Sequence, residues 1–303
     1  MKKLFHISPF GRTRLTRVLL IITVLTVLLA IPTFFWMRDF NKQLAKRHNS
    51  PRSPLIMVPG SSAGPNRFDR LVKKLNDGAP HRHSYMKMKV YNNGKITYSG
   101  SIAKNDNEPI VVIAFQNNHD GYNNIKKQAK MLNKAFSQLC SEYSFNNFKA
   151  FGHSNGGLIW TYWLEHYYQD YDDEITMKRL MTLGSPFNFS ERNVKNKTQM
   201  FSDFLKYRKR LPKDLIVYSL MGTETYDSDG LVPEESVEAG KYIFQKQVKH
   251  FTMMTLTGED AQHSSLPQNE QVVQAINQEL LDDAPTVDKK NGNYPKVKKA
   301  TMP

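Results

Sequence analysis

Hydrophobic and polar positions follow three regimes along the chain. From Val18 to Met37 the sequence VLLIITVLTVLLAIPTFFWM is free of charge, and its length is what a helix needs to cross about 30 Å of hydrocarbon. From Ser53 to Leu281 short apolar runs alternate with stretches of helical period. Beyond Asp282 neither pattern persists.

The middle regime predicts its own elements. Pro54 to Val58 is an apolar run ending in Pro59-Gly60-Ser61-Ser62-Ala63-Gly64, after which Phe68, Leu71, Val72 and Leu75 recur at helical spacing. That spacing predicts strand, Gly-rich loop and a helix from near Asn66. Met86, Met88 and Val90 alternate with Tyr85, Lys87, Lys89 and Tyr91, and Asn92-Asn93-Gly94 turns the chain toward Ile96 and Tyr98, so a hairpin or sheet-edge pair is predicted. Pro109 to Phe115 suits a buried strand, and Ile125 to Tyr143 a helix with Ala129, Leu132, Ala135, Phe136 and Leu139 on one face. Phe148 to Phe151, Leu180 to Leu183, Leu215 to Leu220 and Phe251 to Leu256 read as further strands, and Val272 to Leu281 as a closing amphipathic helix. This alternation predicts an α/β domain built on a doubly wound, mostly parallel sheet covered on both faces.

Between Phe187 and Lys213 the alternation breaks. Basic residues from Arg192 to Arg210 surround apolar Met200, Phe201, Phe204 and Leu205, which fits either a small helical cap facing an anionic or amphiphilic substrate or an ordinary connecting helix. The domain organisation is then a basic segment 1–17, a transmembrane signal anchor 18–37, a linker 38–52, an α/β domain 53–281 with a candidate cap 187–213, and a charged flexible tail 282–303. A cleaved signal peptide is the rival for the anchor, but its apolar core is usually about 7–15 residues, and Ala30-Ile31-Pro32 is a poor cleavage site. An N-in anchor with the domain outside the cytoplasm is the simplest topology.

Charge at first suggests nucleic acid, with a formal net of +14. Its distribution removes that reading. Residues 1–50 hold nine basic residues against Asp39, a net of +8, and the tail from Asp282 has five lysines against three aspartates, a net of +2, which leaves +4 for 51–281. A face of the domain dedicated to phosphate backbones is only weakly supported, and nucleic acid is not the expected partner. The single cysteine, Cys140, has no disulfide partner and no metal-ligand spacing around it, so it reads as a buried small residue of a helix.

The chemistry begins at Gly152-His153-Ser154-Asn155-Gly156, a G-x-S-x-G between the strand Phe148 to Phe151 and a helix-like stretch from Gly157. A nucleophilic serine on a strand-to-helix turn needs small residues two before and two after it. The backbone N–H of Asn155, at the start of the following helix, would face a reacting carbonyl oxygen. A serine hydroxyl also needs a histidine to take its proton and an acid to fix that histidine's tautomer. In a doubly wound sheet these are expected on loops after later strands, in the order serine, acid, histidine. Asp229 is the expected acid because Gly230 permits a tight turn and Leu231-Val232 can pack beneath it, with Asp227 the nearest competitor. His263 is the expected base. His250 precedes the last strand, and His153 and His119 precede the serine, with His153 expected to face sideways into packing. The second oxyanion donor is expected to be the backbone N–H of Ser61, beside Gly60.

The segments MVPGSSAGPNRFD from Met57, FGHSNGGL from Phe151, SDGLVPEES from Ser228 and AQHSSLPQN from Ala261 resemble the alpha/beta-hydrolase superfamily and, more narrowly, cell-surface hydrolases of Gram-positive bacteria grouped as a domain of unknown function. The resemblance spans most of 53–281. It implies an α/β-hydrolase fold, Ser154, Asp229 and His263 as a triad, and lipase- or esterase-like activity. Two positions depart from lipases: Pro59 stands where they usually have histidine, and Asn155 where they more often have an apolar residue or glutamine.

The expected function is a membrane-anchored serine hydrolase that cleaves carboxylic esters of small-molecule or lipid-like substrates, with no metal or organic cofactor. Acyl transfer to another acceptor would use the same residues. A catalytically silent surface-attached binding module is the reading from a different class.

Overall fold

The computed structural model describes residues 9–225 and 227–281, with side chains from Thr16 onward. The expected tail 282–303 and the first eight residues of the basic segment lie outside the described residues. The chain forms two units, residues 1–50 and 51–303.

In the first unit, α1 (Pro9–His48) is a single helix of 40 residues, about 60 Å long at 1.5 Å per residue. Among the described residues it is the one helix long and apolar enough to cross a membrane. Most of the expected linker is therefore helical. Lys42-Gln43-Leu44-Ala45-Lys46-Arg47 are strong helix formers with no glycine or proline until Pro51, and the basic last turn opposes the negative end of the helix dipole. The hydroxyls of Thr23, Thr26 and Thr33 donate back to the carbonyls of Leu19, Ile22 and Leu29, so these polar side chains are satisfied within the helix.

The second unit builds one sheet from β1 (Leu55–Val58), β2 (Tyr85–Val90), β3 (Ile96–Gly100), β4 (Ile110–Phe115), β5 (Asn147–His153), β6 (Thr176–Leu183), β7 (Ile216–Gly222) and β8 (His250–Leu256). Their spatial order is β3-β2-β4-β1-β5-β6-β7-β8. Only the β2–β3 hairpin is antiparallel. The fold is thus the expected mostly parallel, doubly wound sheet.

Alternation along the strands feeds two cores. Ile56, Val58, Val111 and Ile113 point to one face, where α3 (Tyr122–Glu142) and α4 (Asn155–His166) cover them. Leu55, Met57, Ile110 and Val112 point to the other, beneath α2 (Asp69–Gly78) and α8 (Glu270–Glu279). β4 is buried at every residue, as a strand covered on both sides must be. Phe136 of α3 packs 4.9 Å from the ring of Phe148 and 4.8 Å from that of Trp163, and truncating such an aromatic costs about 3–5 kcal/mol.

The stretch 187–213 contains α5 (Gln199–Tyr207), whose Met200, Phe201 and Phe204 are fully buried in the core over α4. This burial favours the connecting-helix reading of α5. Two short helices, α6 (Glu234–Glu238) and α7 (Gly240–Phe244), lie between β7 and β8; each is too brief to show a helical period. The apolar face of α5 packs into the core against α4 and α7 on the path from β6 to β7, and its basic residues lie outside the core. The predicted helix at Asn66 starts at Asp69, after turns.

Register sets the site. Val58 pairs with Gly152, Leu183 with Leu220, and Gly222 with Leu256. The carboxyl ends of β1, β5, β6, β7 and β8 therefore finish together, and the loops that follow them share one edge.

Candidate active site

Ser154 has φ 55° and ψ −125° between β5 and α4, a backbone conformation that a non-glycine residue holds only at a cost of about 1–3 kcal/mol. The surrounding turn leaves no alternative. A Cβ at Gly152 would stand 2.4 Å from the Gly157 nitrogen, and one at Gly156 would stand 2.0 Å from the Val58 carbonyl oxygen. Ser154 N–H donates to Leu183 O at 2.8 Å, and the hydroxyl of Ser185 donates to Ser154 O at 2.8 Å. The elbow is thus pinned to the end of β6, with its serine side chain raised from the sheet edge.

Three side chains meet there. His263 Nε2 lies 3.0 Å from Ser154 Oγ, and His263 Nδ1 lies 2.6 Å from Asp229 Oδ2. The remaining carboxylate oxygen, Asp229 Oδ1, accepts the N–H groups of Leu231 at 3.1 Å and Val232 at 2.7 Å. All three residues are buried. Because the carboxylate accepts from Nδ1–H, Nε2 is left as the acceptor facing the serine hydroxyl.

The rivals stand elsewhere. Asp227 is half exposed and ion-paired with Arg192. His250 is exposed at the start of β8, the opposite end of the strand from the site. His119 is exposed in the loop after β4. His153 is buried as expected, but its side chain has a specific partner, the carbonyl of His263, at 3.0 Å from Nε2. That contact makes Nε2 the protonated nitrogen. Burial, and then the neighbouring His263 and Arg67, hold the His153 pKa well below 6.5, so the ring is neutral.

Gly60 lies directly against the serine, since a Cβ there would stand 2.6 Å from Ser154 Cβ. Ser61 follows it at the mouth of the turn. The turn is braced by the loop after β4: Ser62 N–H donates to Asn118 O at 2.8 Å, and Asn118 Nδ2 donates to Ala63 O at 3.1 Å. Asn155 is the first residue of α4, so its backbone N–H has no acceptor within the helix. Its side chain donates to Asp120 Oδ1 at 2.8 Å.

Sequence reasoning passed over three supporting residues. Gly184, at φ 55°, lies beneath the acid–base pair, where a Cβ would stand 3.0 Å from Asp229 Oδ2 and 3.2 Å from His263 Nδ1. A glycine directly after a strand at this edge was the available signal. Ser185 holds the elbow carbonyl. Arg67 donates to Ser264 O at 2.6 Å, a contact across 197 residues that carries no local pattern.

This sheet order, with a strained serine between β5 and α4, defines an α/β-hydrolase. More narrowly, residues 42–283 match the family described as "Alpha/beta hydrolase of unknown function (DUF915)", and the chain belongs to that family. A solved structure from Lactobacillus plantarum WCFS1, described as a cell surface hydrolase, is 54% identical over 76% of this chain and 92% of its own, with a TM-score of 0.71. A Listeria innocua gene product is 28% identical over 75% of this chain and 92% of its own, with a TM-score of 0.66. No functionally curated protein matches the chain.

Proposed function

We propose that this α/β-hydrolase is a membrane-anchored serine esterase that works through an acyl-enzyme. The observation that carries the reading is the continuous chain from Ser154 Oγ to His263 Nε2 at 3.0 Å and from His263 Nδ1 to Asp229 at 2.6 Å. His263 takes the hydroxyl proton as Ser154 Oγ bonds to the ester carbonyl carbon. The negative charge that develops on the carbonyl oxygen is met by the backbone N–H groups of Asn155 and Ser61, at the helix start and the glycine turn. The C–O bond to the alcohol then breaks, and His263 returns its proton to the departing oxygen. Water attacks the acyl carbon by the same proton route, releasing the carboxylic acid and restoring Ser154. Asp229 stays ionised throughout, holding the imidazole's tautomer and stabilising the imidazolium.

The anchor assignment rests on α1, whose exposed apolar stretch from Val18 to Met37 fits a bilayer core. The description of the Lactobacillus plantarum relative as a cell surface hydrolase supports an extracytoplasmic domain.

A fluorophosphonate probe tests the nucleophile. The wild-type chain labels and Ser154→Ala does not; equal labelling of the two, or none of the wild type, ends the proposal. Turnover of p-nitrophenyl esters of increasing acyl length then reads the substrate class.

A further inference from the structure

A second concave site lies on the same sheet edge, away from the serine. It encloses about 500 Å³ between the end of β2, the Asn92–Gly94 turn and one face of α3. Lys127, Lys130 and Lys134 wall it, and their i, i+3, i+7 spacing puts all three on one face of the helix. Half-buried Tyr91 and Met131 provide apolar surface between them. The lining carries no acidic side chain.

Like charges aligned on a helix face destabilise it. Solvated lysines ordinarily relieve this by pairing with acids one turn away, yet among the described residues none of these three is ion-paired. They stand exposed around a cavity instead, and Lys134 lies close enough to the Asn92–Gly94 turn that a Cβ at Gly94 would stand 2.6 Å from its Nζ. An anionic ligand would relieve the repulsion. Three ammonium groups, each with three donors, match the two charges and several acceptor oxygens of a phosphate monoester better than the single charge of a carboxylate. The apolar lining favours an ester whose organic part is small and apolar.

We propose that this pocket binds a phosphate monoester, with the phosphate held by Lys127, Lys130 and Lys134 and the organic group over Tyr91 and Met131. Its place accords with the tendency of open α/β sheets to bind ligands beyond the carboxyl ends of their strands. β2 stands three strand spacings, about 14 Å, from β5, so this pocket is separate from the serine. The inference does not depend on Ser154 being a nucleophile.

Calorimetric titration of the full chain in a neutral detergent tests it, with inorganic phosphate and butyl phosphate as probes. Both bind saturably, butyl phosphate more tightly, and both weaken with added salt. Lys127→Gln/Lys130→Gln lowers the affinity by about tenfold or more, whereas Lys126→Gln, on the same helix but outside the pocket, leaves it unchanged. Absence of saturable binding to the wild type, or equal binding by the double variant, overturns the proposal; tighter binding of inorganic phosphate overturns the apolar part of it. A free ester and a lipid headgroup offer the same chemistry, and repeating the titration in phosphatidylcholine nanodiscs with and without phosphatidic acid separates them. Loss of butyl phosphate binding only in the acidic discs assigns a headgroup, and retained binding in both assigns a free ester.

Discussion

His153 Nε2–H donates to the backbone carbonyl of His263 at 3.0 Å, and the two rings lie 4.9 Å apart. The residue before the elbow serine thus holds the loop that carries His263. Arg67 holds the next carbonyl of that loop, Ser264 O. His263 is fixed by donors from the elbow and from the segment after β1, so its position depends on the same strands that position the serine.

His153→Phe keeps an aromatic ring but removes the donor. We expect kcat on a p-nitrophenyl ester to fall about tenfold with little change in KM, as for loss of a hydrogen bond worth about 1–1.5 kcal/mol. His153 stays neutral, so the acid limb of the pH–rate profile should keep its midpoint in the variant. A shifted midpoint would mean that His153 itself titrates in the reaction.

The two aspartates of the 227–229 loop should separate cleanly. Asp229→Asn loses the charge that stabilises imidazolium and should lower kcat by about 10³–10⁴-fold. Asp227→Asn breaks a half-exposed pair with Arg192 and at most perturbs a 3.3 Å hydrogen bond from the Thr225 hydroxyl, and should stay within about twofold of wild type. Comparable rates in Asp229→Asn and wild type would remove Asp229 from the mechanism.

Strain at Ser154 predicts a trade between stability and activity. Ser154→Gly relieves the φ 55° conformation, whereas Ser154→Ala retains it. The glycine variant should unfold at a higher denaturant concentration than the alanine variant, by about 1 kcal/mol or more, while neither turns over substrate.

Glu165 on α4 is buried, both carboxylate oxygens lack partners, and burial pushes its pKa up to about 9, only partly countered by Arg210. The native state keeps the proton up to about pH 9, whereas the unfolded chain releases it near 4.5. The native state therefore binds more protons across that window, and this group's contribution to stability is present below pH 4.5 and lost as pH rises toward 9. Urea unfolding at pH 5 and pH 8 should show Glu165→Gln more stable than wild type at pH 8, by on the order of a few kcal/mol, with a smaller difference at pH 5. Equal differences at both would contradict a raised pKa.

Strand periods were legible because they are local. β4 and the β2–β3 hairpin fall within a residue or two of the predicted runs, and G-x-S-x-G declares an elbow because two glycines are sterically required within five positions. The chain order Ser154, Asp229, His263 was likewise readable, since each follows an apolar run. α5 was ambiguous because a helix's apolar face looks the same whether it packs on other helices of the core or lines an entrance. α6 and α7 were missed because five residues do not complete a period.

Sequence alone therefore determined the α/β class, the apolar N-terminal helix and the residue types of the candidate site, all of which follow from short-range spacing and side-chain chemistry. Tertiary structure decided which aspartate faces His263, that His153 and Arg67 grip consecutive carbonyls of the His263 loop, that Gly184 clears space beneath the Asp229–His263 pair, and that three lysines of α3 line one cavity. Those relationships join residues on separate strands and loops. They depend on strand order and register, which pairing across the sheet fixes and no local pattern records.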